Sequence, residues 1–199
     1  DGTTLLDYWM ERKTDSDNAD FWVEVADNLS SNNQTIYIYY GKSDATTTQN
    51  GDNVYCWGDD YEADINNYTL TNCTFTQNAI SAKYGTYGGK MVRAANSHGV
   101  YRTFDTQTKG FKVEGWIDIR DNGKLGVGEA YYLQLKNTTT TVVWLMFDNN
   151  HDIKWYNGTT YVDTGLDWSD GIYHFIEIIG DLETNTITLK VDGNTAPSM

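Results

Sequence analysis

The side chains best suited to ligand chemistry in this sequence are aromatic rings and an amide that alternate with aliphatic residues in short segments. These residues are Trp116, Tyr132, Gln134 and Trp144. In an extended chain, each would point away from the aliphatic side chains on either side of it. Aromatic faces stack on the C–H face of sugars, and amides bind hydroxyl groups. We predict that the four line one glycan-binding sheet face; the alternative is a core that is covered on both sides.

Acid–base chemistry has one candidate, the pair Glu114 and Asp118 in VEGWIDIR. Alternation puts both carboxylates on one strand face, and glycoside hydrolases use two carboxylates as acid and nucleophile. No second glutamate follows Asp118 as such a site would require, so a solvated strand face explains these charges better. The sequence also lacks a Gly-x-Ser-x-Gly elbow, a His-Glu-x-x-His motif and a glycine-rich phosphate loop. We predict a protein that is not an enzyme and that needs no catalytic cofactor.

The elements that must position these side chains are β-strands. Segments rich in Val, Ile, Thr, Tyr and Trp are separated by Asn-Gly and Asp-Gly pairs, which favour tight hairpin turns. The segments are TIYIYY, KMVRAA, FKVEGWIDIR, YYLQLKN, TVVWLMF, DIKWY, YHFIEII and TITLKVDG. The only proline, Pro197, lies outside all of them. The pattern predicts an all-β fold, a β-sandwich or jelly roll.

A polar stretch divides the chain. Residues 41–53, GKSDATTTQNGDN, contain no large apolar side chain and are typical of a linker or long loop. We therefore predict a partial β domain with its linker over 1–53 and the sandwich over 54–199. The opening segment is too short to hold a core alone, so we expect it to pack on the sandwich.

Charge restricts the partners. The 199 residues carry a formal net charge of −14, which repels phosphate backbones and anionic membrane surfaces. Neutral polymers and divalent cations are better candidates than nucleic acid. No apolar run reaches the ~20 residues that cross a bilayer, which excludes membrane insertion by a helix. The opening DGTTLLDYW does not have the pattern of a signal peptide, so the chain is either cytosolic or has lost its leader.

Six Asn-x-Ser/Thr triplets bear on the compartment. They begin at Asn28, Asn33, Asn67, Asn72, Asn137 and Asn157. A chain rich in Asn and Thr produces some such triplets by chance, but six favour a secreted or cell-surface glycoprotein.

Cysteine and histidine are sparse. Cys56 and Cys73 are two buried thiols in a reducing compartment or one disulfide in an oxidising one. Both lie beside early strand-like segments that can pair through a turn, and we predict that they form a disulfide. Closing this loop would raise the free energy of unfolding by roughly 3 kcal/mol. No zinc spacing accompanies them. His98, His151 and His174 are scattered, and lone histidines are usually structural.

The opening resembles a known family. A D-G-T start, a W-V-x-V segment, a T-I-Y-x-Y-Y-G segment and a polar exit are similar to the later half of domain of unknown function 2341, over residues 1–54. That family occurs in archaeal and bacterial surface proteins, where a concanavalin-like jelly roll usually follows. WGDDYEAD is similar to the first strand of such a module.

The closing part resembles laminin-G-like and concanavalin-like modules. Residues 151–193 pair an aromatic-x-aromatic strand with a long hairpin ending in V-D-G, as those modules do. The resemblance implies strands before D-G-T and after V-D-G that this sequence does not contain. We therefore expect a longer parent chain or a neighbouring subunit that donates strands.

The resemblance also implies a calcium site. Jelly rolls with similar openings often hold a structural calcium ion at the first strand, where this sequence has an acidic cluster. The candidate ligands are Asp59, Asp60, Glu62 and Asp181. The alternative is a solvated acidic turn.

Together these features predict a non-catalytic extracellular binding module, with a glycan or another surface protein as partner. The second hypothesis is a structural or adhesive module of a surface layer or filament, which associates with itself through strand edges. An open aromatic groove would favour the first hypothesis, and uncovered strand edges would favour the second.

Overall fold

The computed structural model describes most of the chain. The residues outside the description are 1–3, 28–29, 31–32, 42, 45–48, 56–57, 63–64, 95–97, 105–109, 121–128, 138–139 and 198–199. The described residues are mainly β-strands, which confirms the predicted all-β class. The longest helix in this part of the chain, Gly51–Val54, is far too short to cross a bilayer.

Fourteen strands are described. They are β1 (Tyr8–Thr14), β2 (Asn18–Val23), β3 (Thr69–Thr71), β4 (Cys73–Asn78), β5 (Gly88–Arg93), β6 (Gly99–Tyr101), β7 (Gly110–Asp118), β8 (Ala130–Lys136), β9 (Thr141–Asp148), β10 (Asp152–Tyr156), β11 (Tyr161–Asp167), β12 (Tyr173–Asp181), β13 (Thr186–Val191) and β14 (Asn194–Thr195). Helix α1 spans Gly51–Val54, and a 3-10 turn spans Ala79–Ser81.

Two four-stranded antiparallel sheets form the main body. Sheet I has the order β11-β10-β9-β8, and sheet II has the order β14-β13-β12-β7. Their facing side chains build one buried cluster, so the two sheets form a β-sandwich. The cluster contains Val143, Leu145, Phe147, Ile153, Trp168, Ile176, Ile178, Leu189, Val191 and Ala196.

Alternation explains which side chains enter this core. In β9, Val143, Leu145 and Phe147 are buried, whereas the intervening Trp144 and Met146 lie on the outer face. The turn between β13 and β14 is formed by Asp192 and Gly193, whose φ angles of 52° and 81° match the type I′ turn predicted by an Asp-Gly pair.

The remaining strands form three two-stranded sheets: β1 with β2, β3 with β6, and β4 with β5. An aromatic group supports the last two pairs, because the ring of Tyr68 lies 4.8 Å from that of Phe75 and 6.2 Å from that of Tyr61. The predicted linker ends in α1, which is capped by the Asn50 side chain, begins at Gly51 and crosses the predicted boundary at residue 53.

Tyr55, which follows α1, packs on the opening hairpin. Its ring lies 5.9 Å from that of Trp22 in β2. Burial, together with the carboxylates of Glu11 and Glu114, raises the pKa of Tyr55, and these two carboxylates belong to β1 and β7. Both carboxylates therefore disfavour the ionised phenol.

One strand prediction is wrong. Residues 35–40, TIYIYY, belong to no strand in the structure. The side chains of residues 36–40 are all exposed, from 45% for Ile36 to 92% for Tyr40. The segment has apolar residues at successive positions, so as a strand it would need other residues packed on both faces and a neighbouring strand for its backbone hydrogen bonds. The nearby strands β1 and β2 pair with each other instead.

Candidate functional site

An aromatic group occupies the outer face of sheet I. Gln134 of β8 lies opposite Trp144 of β9, and Tyr156 of β10 lies opposite Tyr161 of β11. Tyr132, two positions from Gln134, shares the same face of β8. We call Tyr132, Trp144, Tyr156 and Tyr161 the aromatic surface.

The four rings contact one another. The centroid of Trp144 lies 5.3 Å from Tyr156, 5.9 Å from Tyr161 and 6.0 Å from Tyr132. Tyr161 lies 5.2 Å from Tyr156 and 6.4 Å from Tyr132. These separations and the tilted or edge-on arrangements are those that aromatic pairs favour, so the rings support one another as a group.

The aromatic surface is open on one side. Tyr132 is 50% exposed, while the other three rings are half-buried. Burial, with the neighbouring Tyr132 and Tyr156 phenols, raises the pKa of Tyr161, so its hydroxyl group stays neutral at physiological pH. Among the described residues, the buried indole Nε1 of Trp144 has no hydrogen-bond partner.

A charged group borders these rings. Lys154 Nζ lies 2.5 Å from Asp148 Oδ2 and 3.0 Å from Asp152 Oδ2. Although burial opposes ionisation, the Lys154 ammonium and the N–H groups of Asn150 and Asp152 lower the pKa of Asp148. In the sheet, Lys154 lies opposite Asp163 of β11. Carboxylates and an ammonium therefore lie next to an aromatic surface that also has an amide, Gln134, at its edge.

The structure brings together three of the four predicted ligand-binding residues: Tyr132, Gln134 and Trp144. Tyr156 and Tyr161 join them, and sequence reasoning missed both. The signal for Tyr156 was present in DIKWY, where it alternates with Trp155. Tyr161 needed the hairpin register, because the side it faces depends on how the turn at 157–160 closes.

The fourth predicted residue, Trp116, lies elsewhere, which corrects the prediction of one shared face. It belongs to β7 in sheet II, where its ring lies 5.1 Å from Phe175 and 6.0 Å from Tyr84. Lys83 Nζ lies 4.4 Å from its centroid. Alternation fixes the face of a strand on which a residue lies, but not the sheet that the strand joins.

The carboxylates that were weighed for catalysis have cations as partners. Glu114 binds Lys112, which also lies 3.3 Å from Glu177. Asp118 Oδ2 accepts a hydrogen bond of 2.7 Å from Arg120 Nε. Each carboxylate therefore has its own ion-pair partner on or beside β7.

The four predicted calcium ligands do not come together. Across the part of the chain that the structure describes, no three His, Cys, Asp or Glu side chains form a metal-binding group. Asp59 accepts from Tyr61 N and lies 3.5 Å from Arg102, while Glu62 accepts from the N–H groups of Thr86 and Tyr87. The other two carboxylates have similar partners: Asp60 accepts from Glu62 N, and Asp181 accepts from Glu183 N and Thr184 N. In the described structure these oxygens accept backbone N–H groups of turns, and calcium binding stays a prediction.

The predicted disulfide lies partly outside the described residues, because Cys56 is not among them. Cys73 is a half-buried free thiol, and its Sγ donates to the Gly99 carbonyl over 3.1 Å. The structure therefore describes Cys73 as a hydrogen-bonded thiol, and pairing with Cys56 stays a prediction.

Five of the six sequon asparagines are described, and all five are exposed: Asn33, Asn67, Asn72, Asn137 and Asn157. Asn28 lies outside the described residues. At Asn157, Oδ1 accepts from the N–H groups of Thr159 and Thr160, 2.9 Å away in each case. The exposure is compatible with glycosylation, which stays a prediction.

Comparison with known proteins supports the opening resemblance. Residues 1–72 match the family described as Domain of unknown function (DUF2341). The match extends past residue 54 to β3. No curated protein and no solved structure matches the chain. The matched residues therefore include the opening hairpin, α1 and β3, and the description of the family states no function.

Proposed function

We propose that the chain is a non-catalytic extracellular module that binds carbohydrate on the aromatic surface of sheet I. The observation that carries this proposal is the half-open group of four rings with Gln134 at its edge and carboxylates beside it. Sugars need both contributions, an apolar platform for their C–H groups and polar groups for their hydroxyls. The proposal also treats the sandwich as a concanavalin-like jelly roll.

Charge favours a neutral sugar polymer. The chain carries −14 charges, and Asp152 and Asp163 lie near the rings. A polyuronate would meet repulsion there, whereas hydroxyl groups can donate to these carboxylates. The exposed sequons and the DUF2341 match support a place at the cell surface or outside the cell.

Removing the most exposed ring tests this proposal. We expect the wild-type protein to be retained on at least one of cellulose, chitin or mannan. Tyr132→Ala should bind about two- to tenfold more weakly, since one aromatic stacking contact contributes roughly 0.5–1.5 kcal/mol. Binding isotherms on the three polymers would measure this effect.

Tyr101→Ala is the matched control, because Tyr101 of β6 is 54% exposed and lies outside the aromatic surface. It should bind as the wild-type protein does. Equal binding by Tyr132→Ala, or no retention of the wild type on any of the three polymers, would contradict the proposal.

A second candidate function, a self-associating structural or adhesive module, is favoured by a separate observation. Residues 36–40 form a run of five large apolar or aromatic side chains that are all exposed and belong to no strand. The stretch 33–41 contains no charged residue, so neither charge repulsion nor proline opposes pairing with another strand. A second copy can therefore add its own segment edge to edge.

Light scattering at increasing protein concentration measures this association. We expect the wild-type mass to rise above the 22.6 kDa of one chain, and Ile36→Lys/Ile38→Lys to stay monomeric, because charged side chains block edge pairing. Ile80→Lys is the control, since Ile80 is exposed outside this segment, and it should associate like the wild type. A wild-type protein that is monomeric at every concentration would rule out the structural candidate.

A further inference from the structure

His174, the second residue of β12, connects two loops at one end of the sandwich. Its Nδ1 lies 2.7 Å from Asp192 Oδ2, in the turn between β13 and β14. Its Nε2 lies 2.9 Å from the backbone nitrogen of Ser169, in the loop between β11 and β12. Both ring nitrogens are therefore engaged, each with a different loop.

These two contacts define one protonation state. A backbone N–H only donates, so Nε2 must accept from Ser169 and carry no proton. Nδ1 then holds the ring hydrogen and donates it to the Asp192 carboxylate. The neutral ring with its hydrogen on Nδ1 is the only form that satisfies both loops.

Protonation would break only one of the two contacts. A proton on Nε2 would face the N–H of Ser169, and two donors cannot bond to each other. The contact with Asp192 would persist and gain charge. Asp192 is itself held in place, because its Oδ1 accepts from Phe175 N over 2.8 Å. Acid would therefore release the Ser169 N–H from the ring and leave the β13–β14 turn attached.

The charged groups near His174 are mostly carboxylates. Although burial opposes ionisation, the Phe175 N–H, the His174 ring and the Lys83 ammonium lower the pKa of Asp192. The other charged groups near this end are Asp167 and Asp170 on the loop side, and Asp118 on β7, which is paired with Arg120. Carboxylates therefore outnumber cations at this end of the sandwich.

The loop is fixed at both ends and held by His174 at its centre. Trp168 N donates to the His151 carbonyl over 2.8 Å, and Gly171 N donates to the Ile119 carbonyl over 2.9 Å. Beside the loop lies an open cleft of about 400 Å³ between the end of β11 and the β13–β14 turn. The cleft is lined by Gly165, Leu166, Asp167, Val191, Asp192 and Asn194.

We propose that His174 is an acid-released clasp: it holds the loop 168–172 beside this cleft at neutral pH and frees the centre of the loop when the ring is protonated. The clasp does not depend on carbohydrate binding, because the aromatic surface lies on the outer face of sheet I. It gives this end of the sandwich a shape that differs between neutral and mildly acidic surroundings.

NMR of the full chain tests the clasp directly. At pH 7.5, the ¹⁵N shifts of the His174 ring should show the hydrogen on Nδ1. Between pH 7.5 and 5.0, the protection of the Ser169 amide against exchange, corrected for intrinsic rates, should fall about tenfold, as expected for the loss of one hydrogen bond. The Glu183 amide, which is bonded to Asp181 Oδ1, should keep its protection and serves as internal control.

His174→Gln separates protonation from packing. A glutamine can accept from Ser169 with its oxygen and donate to Asp192 with its nitrogen, but it does not titrate. Its Ser169 protection should stay constant with pH. The clasp is overturned if the wild-type Ser169 protection is unchanged at pH 5.0, if the ring hydrogen lies on Nε2 at pH 7.5, or if the glutamine variant loses protection with acid as the wild type does.

Discussion

Replacing Trp168 with alanine is expected to lower the free energy of unfolding by about 4 kcal/mol, the range of large aromatic-to-alanine changes in a core. Trp168 is 2% exposed and belongs to the buried cluster between the sheets. Its Nε1 donates to the Asp148 carbonyl over 3.2 Å, and the His151 ring lies edge-on at 4.7 Å. The variant would therefore lose packing and a hydrogen bond together, as urea denaturation followed by circular dichroism would show.

One further variant separates the packing of the ring from the hydrogen bond of its N–H group, and a second variant serves as a control. Trp168→Phe keeps a buried ring and loses the indole N–H, so it should cost about 1–2 kcal/mol. Trp22→Ala removes a partly exposed ring from the opening hairpin and should leave the unfolding of the sandwich nearly unchanged. If Trp168→Ala cost less than about 1 kcal/mol, Trp168 would not be part of the core, and the position of the loop that follows it would need to be revised.

The strands of the sandwich could be predicted because their signal is local. Alternate residues of β9 and β8 face the core or the outside, and this period of two is visible in TVVWLMF and YYLQLKN without knowledge of the partner strands. The same period placed Tyr132, Gln134 and Trp144 on an outer face. The turn at Asp192 was also predictable, since Asp-Gly is suited to two successive residues with positive φ.

Long-range pairing could not be predicted from the same signal. Trp116 shows the same alternation as Trp144, yet β7 pairs with β12 and β9 pairs with β8 and β10. The segment 35–40 has strong strand composition and still has no described ladder partner. Strand composition indicates that a segment can pair, but the tertiary arrangement decides whether a partner strand lies beside it.

The polar sites were the hardest to predict, because side-chain chemistry does not reveal which backbone groups need a partner. Asp59 and Glu62 look like calcium ligands in sequence, but they accept backbone N–H groups in turns. His174 appeared as a lone structural histidine. Its two contacts, with Ser169 and Asp192, join residues up to 18 positions away and depend on the packing of three elements.

Substitution of Asp148 is expected to have the second of the two largest effects on the free energy of unfolding. Its buried carboxylate accepts from Asn150 N over 2.9 Å and from Asp152 N over 3.1 Å, and Lys154 Nζ binds its other oxygen. Asp148→Ala would leave these donors without an acceptor and is expected to cost about 3 kcal/mol at pH 7, the lower end for breaking a buried ion pair, because Lys154 is partly exposed. Asp148→Asn keeps one acceptor oxygen and should cost about 1–2 kcal/mol.

The pH dependence of this effect has a defined sign. Lys154 and the N–H donors hold the pKa of Asp148 below its ordinary value in the folded chain. A carboxyl group with a lowered pKa contributes stability that is present above its unfolded pKa, near 4, and that is lost as the pH falls through the folded pKa. The stability difference between wild type and Asp148→Asn should therefore be constant from pH 7 to about pH 5 and shrink below about pH 4.

Asp152→Asn is the matched control for Asp148, because Asp152 also binds Lys154 but is more exposed and accepts no backbone N–H group in the described structure. Solvent screens this pair, so the substitution should cost less than about 1 kcal/mol and show little dependence on pH. If Asp148→Asn and Asp152→Asn lowered the free energy of unfolding equally, the effect would come from the charge of Lys154 alone. A larger cost for Asp148, with loss of the difference in acid, would show that its backbone contacts hold the β9–β10 turn, and with it the charged border of the aromatic surface.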